Sequence, residues 1–336
     1  MIISIGCTEK ETTEQAEPEL IKIDTLYTFT EFDSHNIAQP TDVEILDGGQ
    51  ILVSDYGTDK ITSLNKNGNI NFVFGREGRG PGEFLNINDI FELNSQIIVF
   101  DNHLYKISVF DTLSNFLNSH TLPKDVFNKD LALINDSLYV VGLDGLEDSL
   151  FRIQSLTSDY KLQFGETRLK RQGRIDMQKN KNQLKTGEIP DFYKNKVKLR
   201  SDGKYIYAFF EGYSEMSKYD LSGNLVWNEK VELTFNDEIF NRAVERAKTH
   251  KNPRSMPGIT YILEFKPYEQ GIYILTSSSL KRIQQFVKLD HNGEMRTIYT
   301  LPDSTTVYDF DIDFDNEEVY FTSWNYGIVG KADLKN

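Results

Sequence analysis

Ile51-Leu52-Val53-Ser54-Asp55 is answered 46 residues later by Ile97-Ile98-Val99-Phe100-Asp101, and the same short apolar run returns four more times. The later copies are Leu138–Gly142, Ile206–Phe210, Ile272–Thr276 and Val319–Ser323. Their first residues follow one another at 46, 41, 68, 66 and 47 residues, so two intervals are about 25 residues longer than the rest. Each long interval holds a stretch unlike the repeat. Without these stretches, every unit has the ~40–45 residues of a four-stranded propeller blade. A continuous apolar run bounded by turn residues is the mark of a strand buried on both faces.

Turn chemistry supports four strands per unit. Asn67-Gly68, Ser222-Gly223 and Asn292-Gly293 lie between third and fourth strands, and Asp47-Gly48-Gly49 and Asp202-Gly203 lie between first and second. Such dipeptides supply the positive φ that a tight hairpin needs. The sixth unit has Val307–Phe314, Val319–Ser323 and Ile328–Lys335 but no fourth strand, whereas Leu20–Tyr27 is an amphipathic strand with no unit of its own. Pairing the two predicts a ring closed from both chain ends, which removes an open sheet edge.

Pro40-Thr-Asp-Val43, the Asp47–Asp55 segment, and Phe74-Gly75-Arg-Glu-Gly-Arg-Gly-Pro-Gly-Glu-Phe84 leading into the second unit resemble NHL repeats. More narrowly, the chain is similar to the six-bladed β-propeller lipoproteins with NHL-like repeats common in Bacteroidetes. The resemblance implies an all-β fold of six four-stranded blades and a place in the cell envelope, and it implies no reaction. Its motif is sharp in units one and two. In the others Gly142, Phe210, Thr276 and Ser323 stand where Asp55 and Asp101 would be.

Composition narrows the function classes. The chain has 336 residues, 12% of them aromatic, and a formal charge of −14, which disfavours nucleic acid and anionic lipid as partners. No apolar run of about 18 residues is present to span a membrane as a helix. Cys7, the single cysteine, follows Ser4-Ile5-Gly6 in the manner of a lipobox, and the polar stretch after it suits a tether. Residues 1–18 are thus expected to carry a lipid anchor at Cys7 and residues 19–336 to form one propeller. A signal peptide of roughly 15–30 residues would have to precede Cys7, so the anchor expectation also implies a longer start. The expected location is the outer membrane, periplasmic or surface-exposed, with the lipid as the sole membrane contact and the chain as a monomer.

Aligned first strands place Asp42, Asp89, Asp130, Lys198, Glu264 and Asp311 at one ring position around the channel. Five carboxylates there suit a hard cation such as calcium; aspartates that cap backbone turns give the same pattern. The run Asp309, Asp311, Asp313, Asp315 alternates with Phe310, Ile312 and Phe314, which puts the acids on one face of a strand.

The insertions, residues 166–192 and 234–258, both precede a first strand and should rise from one face. Each carries more basic than acidic residues, which fits either docking onto an acidic body or a lid over an anionic ligand. Arg76 and Arg79, with Tyr56, His103, Tyr213, Trp324 and Tyr326 in equivalent loops, are the candidate ligand contacts on that face. The five histidines are scattered off the first strands, and no Gly-x-Ser-x-Gly elbow occurs. The expected function is therefore non-catalytic binding of a peptide, glycan or envelope protein at the channel mouth. The alternative is a calcium-dependent hydrolase or lyase using the channel carboxylates, and no other cofactor is implied.

Overall fold

The computed structural model describes residues 17–30, 37–126, 130–143, 145, 147–170, 173–252, 254–302, 306–323 and 327–334. Six sheets, each with four antiparallel strands and one with a fifth strand added, form the blades of a six-bladed β-propeller. The innermost strands are Pro40–Ile45, Ile87–Leu93, Leu131–Leu133, Val197–Ser201, Ile262–Tyr268 and Asp309–Asp313. Second strands are the apolar runs of the repeat; Ile51–Asp55 is buried at every position because a neighbouring blade covers each face. Outermost strands such as Phe116–Thr121 are mostly exposed. Between the blades lie separate apolar clusters, one of them joining Phe286, Phe310 and Phe321 across blades 5 and 6.

Ring closure follows expectation with one change. Tyr27–Thr30 is the fourth strand of blade 6, antiparallel to Ile328–Asp333, and Thr30 Oγ1 accepts the Val329 N–H at 2.9 Å. Its predecessor Glu19–Lys22 does not continue that strand. It runs parallel to Met295–Thr300 and adds a fifth strand to blade 5. The expected Leu20–Tyr27 strand is therefore two strands on adjacent blades. Ile23 is buried between them and Leu26 packs on the backbone at Gly330, where an added Cβ would come within 2.8 Å of the leucine. No single strand can bury both side chains in that way.

The hairpin glycines behave as read: Gly68, Gly223 and Gly293 have φ of 81°, 83° and 85°. A further regularity lies three residues before each. Asn65, Asp220 and Asp290 each accept two backbone N–H groups of their hairpin, and Asp111 does the same where Ser114 stands in for glycine. This side-chain mimicry of a backbone turn fixes the register of the outer strands.

Asp55 and Asp101 have a structural role in the two sharpest units. Asp55 accepts from the N–H groups of Ala38, Gln39 and Gly57 and from the Thr58 hydroxyl, at 2.8–3.0 Å. Asp101 accepts from Leu85, Asn86, His103 and Leu104 at 2.7–3.2 Å. Each aspartate thereby ties the loop after its own strand to the segment entering the blade.

The insertions contain α1 (Met177–Lys185), α2 (Asp191–Lys194) and α3 (Asn236–Thr249). Ile239, Ala243 and Ala247 of α3 and Leu184 of α1 join the core of blades 4 and 5, with Phe209, Phe265 and Ile274. Two of their basic residues reach the blades and one joins the insertions to each other, while Arg174, Arg246, Lys251 and Arg254 are exposed. Arg168 stacks on Phe210 and Tyr213 at 3.7 and 4.4 Å and pairs with Glu215 at 2.6 Å. Buried Lys181 donates to the Asn252 carbonyl, and Arg242 to that of Ser278. The apolar faces of α1 and α3 are thus docked on blades 4 and 5.

Candidate functional site

The innermost strand of a blade pairs on one edge only, so its other edge shows unpaired N–H and C=O groups to the channel. Acidic side chains of the preceding blade meet those groups. Asp309 and Asp311 of blade 6 accept from Val43 and Ile45 of blade 1, at 2.9 and 2.6 Å. Asp42 and Glu44 of blade 1 accept from Ile90 and Glu92 of blade 2, at 2.5 and 3.1 Å. Asp130 of blade 3 accepts from Leu199 of blade 4. The acids cap a backbone, as one sequence reading had it, but the backbone belongs to the neighbouring blade rather than to their own turn.

Strand register corrects the membership of the ring. Asp42, Asp89, Lys198, Glu264 and Asp309 pair with Ser54, Phe100, Phe209, Leu275 and Thr322, which are equivalent second-strand positions. Asp309 holds the position assigned to Asp311, which sits one pleat further along, opposite Tyr320. A shift of two residues leaves an alternating Asp-x-Asp-x-Asp pattern unchanged, so the sequence does not distinguish the two. At the second level stand Glu44, Arg200, Lys266 and Asp311, paired with Leu52, Tyr207, Tyr273 and Tyr320. Glu44, Arg200 and Lys266 were missed as channel residues. Reading each first strand onward by two residues would have found them.

Two of these are cations at the heart of the acidic ring. Arg200 donates to Glu264 at 2.6 Å and Asp89 at 3.0 Å, lies 3.8 Å from Asp130, and caps the Leu199 carbonyl. Lys266 donates to the Val43 carbonyl at 3.0 Å and to Glu44 at 3.2 Å, with Asp309 and Asp42 at 3.9 and 4.0 Å. Lys198 adds a contact to Glu264 at 2.9 Å. The positions expected to ligate calcium, Asp42, Asp89, Asp130, Glu264 and Asp311, thus face side-chain cations or backbone N–H donors. Among the described residues no cluster of three or more His, Cys, Asp or Glu is arranged to hold a metal.

The charges do not balance evenly. Burial raises Glu264, but Arg200 and Lys198 outweigh it and pull the carboxyl down to about 2. Burial also raises Asp42 and Asp130, each to about 6, and Glu44 to about 7; the nearby Lys266 or Arg200 offsets only part of the cost. Burial pushes Asp309 well above the ordinary range, and its carboxyl is hydrogen-bonded to that of Asp42. Lys266 goes the other way: burial lowers it, and the surrounding acids, Asp309 first, raise it further than burial lowers it. The channel therefore holds more carboxyl groups than its cations neutralise.

Arg200 reaches from blade 4 to acids of blades 2, 3 and 5, and two cavities are lined by residues of this ring. The larger, about 490 Å³, opens on the face of the turns between first and second strands. Blades 2 and 3 give it an apolar wall of Phe91, Leu93, Leu133 and Ile134; blades 6 and 1 give it an acidic wall of Asp311, Glu44 and Asp47, joined by Glu92. Arg200 and Lys266 lie on its floor, and Tyr268 donates to Asp311 at 2.5 Å. The smaller cavity, about 280 Å³, opens on the insertion-bearing face among Asn88, Asn102, Asp130, Lys196, Lys198 and Glu211.

The loop residues singled out from sequence are not gathered at either cavity. Tyr56, Arg76, Arg79, His103 and Tyr213 line neither one. Arg76 pairs with Glu83, whose carboxylate also accepts the Gly80 N–H, so this arginine braces its own glycine loop. Arg79 is exposed on the same loop. Tyr213 is the stacking partner of Arg168. Cys7, Trp324 and Tyr326 lie outside the described residues.

A family model described as a 6-bladed beta-propeller matches residues 25–189. No curated protein matches the sequence. Among solved structures, a Bacteroides fragilis protein described as exported is similar with a TM-score of 0.54 at 13% identity, over 94% of this chain and 99% of that one. Regucalcin, a calcium-binding protein of Agrobacterium tumefaciens, gives 0.52 at 9% identity over 94% and 95%. Virginiamycin B lyase of Staphylococcus aureus gives 0.51 at 11% identity over 92% and 99%. At such identities the likeness speaks for the fold alone.

Proposed function

We propose that this six-bladed β-propeller is a non-catalytic binding protein of the bacterial cell envelope, and that its ligand presents a cationic, partly apolar group to the larger channel cavity. A lysine side chain or an amino terminus of a peptide has that chemistry. One observation carries the reading: a cavity of about 490 Å³ with an apolar wall facing an acidic one, its carboxyl groups outnumbering its two cations. Small-molecule sites are commonly concave, largely apolar and of ~300–1,000 Å³. An incoming ammonium would add to the counter-charge that Lys266 supplies to Glu44 and Asp42 only in part. On this reading the ligand sits on the turn-bearing face rather than beside the insertions.

The cell-envelope part of the reading rests on the lipobox-like Ser4–Cys7 and on likeness to an exported protein. Mass spectrometry of the protein from its native host should find diacylglycerol on Cys7, and an unmodified Cys7 there would overturn the anchor.

The ligand class is tested by calorimetric titration with three probes of one shape: phenethylamine, phenethyl alcohol and phenylacetate. The amine should bind tightest, and Glu44→Gln with Glu92→Gln should weaken it by about tenfold. Tighter binding of the carboxylate, or an amine affinity untouched by both substitutions, would sink the proposal. Calcium in place of the amine tests the alternative: heat on calcium addition that Glu44→Gln abolishes would replace the amine reading with a metal site.

A further inference from the structure

We infer a second binding site, independent of the channel, in the cleft between blades 2 and 3, and the structure assigns it to a neutral pyranose ring. The cleft has a volume of about 550 Å³ and is lined mainly by polar side chains, among them Thr121, Tyr139, Gln154, Thr157 and Asp159. Two of these are buried and unpartnered. The Tyr139 hydroxyl and the Gln154 side-chain carbonyl oxygen have no hydrogen-bond partner, in residues 1% and 8% exposed. They are direct cross-strand partners, so both project from one face of blade 3 into the same cleft.

An unpaired buried polar group is destabilising, and a fold does not ordinarily keep two side by side without use. An apolar ring at position 139 would fill the same cluster, with Ile98, Phe100 and Leu122, at no such cost. The demand of the pair is specific: an O–H or N–H for Gln154 Oε1, and an acceptor or donor for the Tyr139 hydroxyl. Adjacent hydroxyls of a sugar ring, each able to donate and accept, satisfy both together.

Charge argues against an anion. Arg152, two residues before Gln154 on the same face of its strand, pairs through its terminal nitrogens with Asp125 at 2.7 Å and faces Glu147 at 3.9 Å, although its Nε has no partner, and Asp159 adds negative charge at the rim. Asp159 is instead a strong acceptor for a ring hydroxyl. The volume lies in the range of small-molecule sites.

The test is titration of the whole chain with cellobiose and with methyl β-D-glucopyranoside, followed by amide shifts of residues 154–160. Binding in the millimolar range or tighter is expected, and Tyr139→Phe and Gln154→Leu should each weaken it by about tenfold. Tyr139→Phe should at the same time leave the melting temperature equal or higher, because a buried unpaired hydroxyl is removed. Glu44→Gln, in the channel, should leave sugar binding unchanged. No shifts at about 10 mM sugar, or binding equal in both cleft variants, would overturn the site. Gln154→Leu keeps the test decisive if the tyrosine variant fails to fold.

Discussion

The carboxyl group of Asp309, near the end of the chain, accepts the backbone N–H of Val43 at 2.9 Å across 266 residues of sequence. Lys266 donates to the carbonyl of the same Val43, so both backbone groups on the free edge of that residue are satisfied from other blades. The ring is thus closed twice between its last and first blades. Tyr27–Thr30 closes it at the rim, and Asp309 with Asp311 closes it at the axis.

Asp309→Asn should be nearly silent and Asp309→Ala costly. Burial pushes the Asp309 carboxyl well above the ordinary range, toward its protonated form, and it shares a hydrogen bond with Asp42, so an amide keeps the acceptor at little cost in charge. Alanine leaves the Val43 N–H unpaired in a buried place, at ~1–3 kcal/mol. Chemical denaturation of the three proteins checks this. Equal loss in both variants would show that the charge, not the acceptor, is what counts.

Shortening the chain from its start should act in two steps. A chain beginning at residue 25 loses the parallel strand on blade 5 and the buried Ile23. One beginning at residue 31 also loses the fourth strand of blade 6 and the edge-to-face contact of Phe29 with Tyr320. The first loss should lower the melting temperature and the second should lower it further. Melting temperatures that do not fall at the second step would contradict the closure by Tyr27–Thr30.

Asp55→Ala and Asp101→Ala should destabilise to a similar degree, on the order of 2–4 kcal/mol each, since each removes a carboxylate that accepts four hydrogen bonds. Neither should change binding in the channel, which neither residue lines. A binding defect at full stability would give these aspartates a role in recognition.

What the sequence disclosed depended on whether a feature repeats. The apolar second strands recur in every blade, since all six must bury both faces, and the glycine hairpins recur because each needs a positive φ. The split of the N-terminal segment was hidden, because alternation in Leu20–Tyr27 is the same for one strand or for two on adjacent blades. The acidic ring was visible as a row of first-strand carboxylates with Lys198 among them, but its other two cations were not. Arg200 and Lys266 each occur in one blade only and stand two residues past the aligned position. The polar cleft at Tyr139 and Gln154 was invisible for a different reason: its signature is a missing partner, which no spacing of residues reveals.

Stability should fall as pH rises from about 5 to 8. Asp42 and Asp130 at about 6 and Glu44 at about 7 bind protons more strongly in the folded chain than their ordinary values of 3.8 and 4.5 allow unfolded. Between roughly pH 4 and 7 the native state therefore carries protons that the unfolded chain has released, and stability declines with pH across that window. Glu264, pulled down to about 2, works in the opposite sense and only below about pH 4.5, where its stabilisation is lost as pH falls. The optimum should then lie near pH 4–5, with a decline on the order of a few kcal/mol toward pH 8, since a tenfold difference in proton affinity between folded and unfolded chain corresponds to ~1.4 kcal/mol. Calorimetric melting at constant ionic strength measures the decline, and a melting temperature that is flat or rising from pH 5 to 8 would contradict it. A net charge of −14 also gives a decline through general repulsion, and Glu44→Gln separates the two causes. If burial of the channel acids is responsible, this substitution flattens the pH 5–8 slope well beyond the effect of removing one exposed glutamate such as Glu245. Phenethylamine should flatten it too, because a cation in the cavity favours the ionised carboxylates, and its affinity should rise over the same pH range.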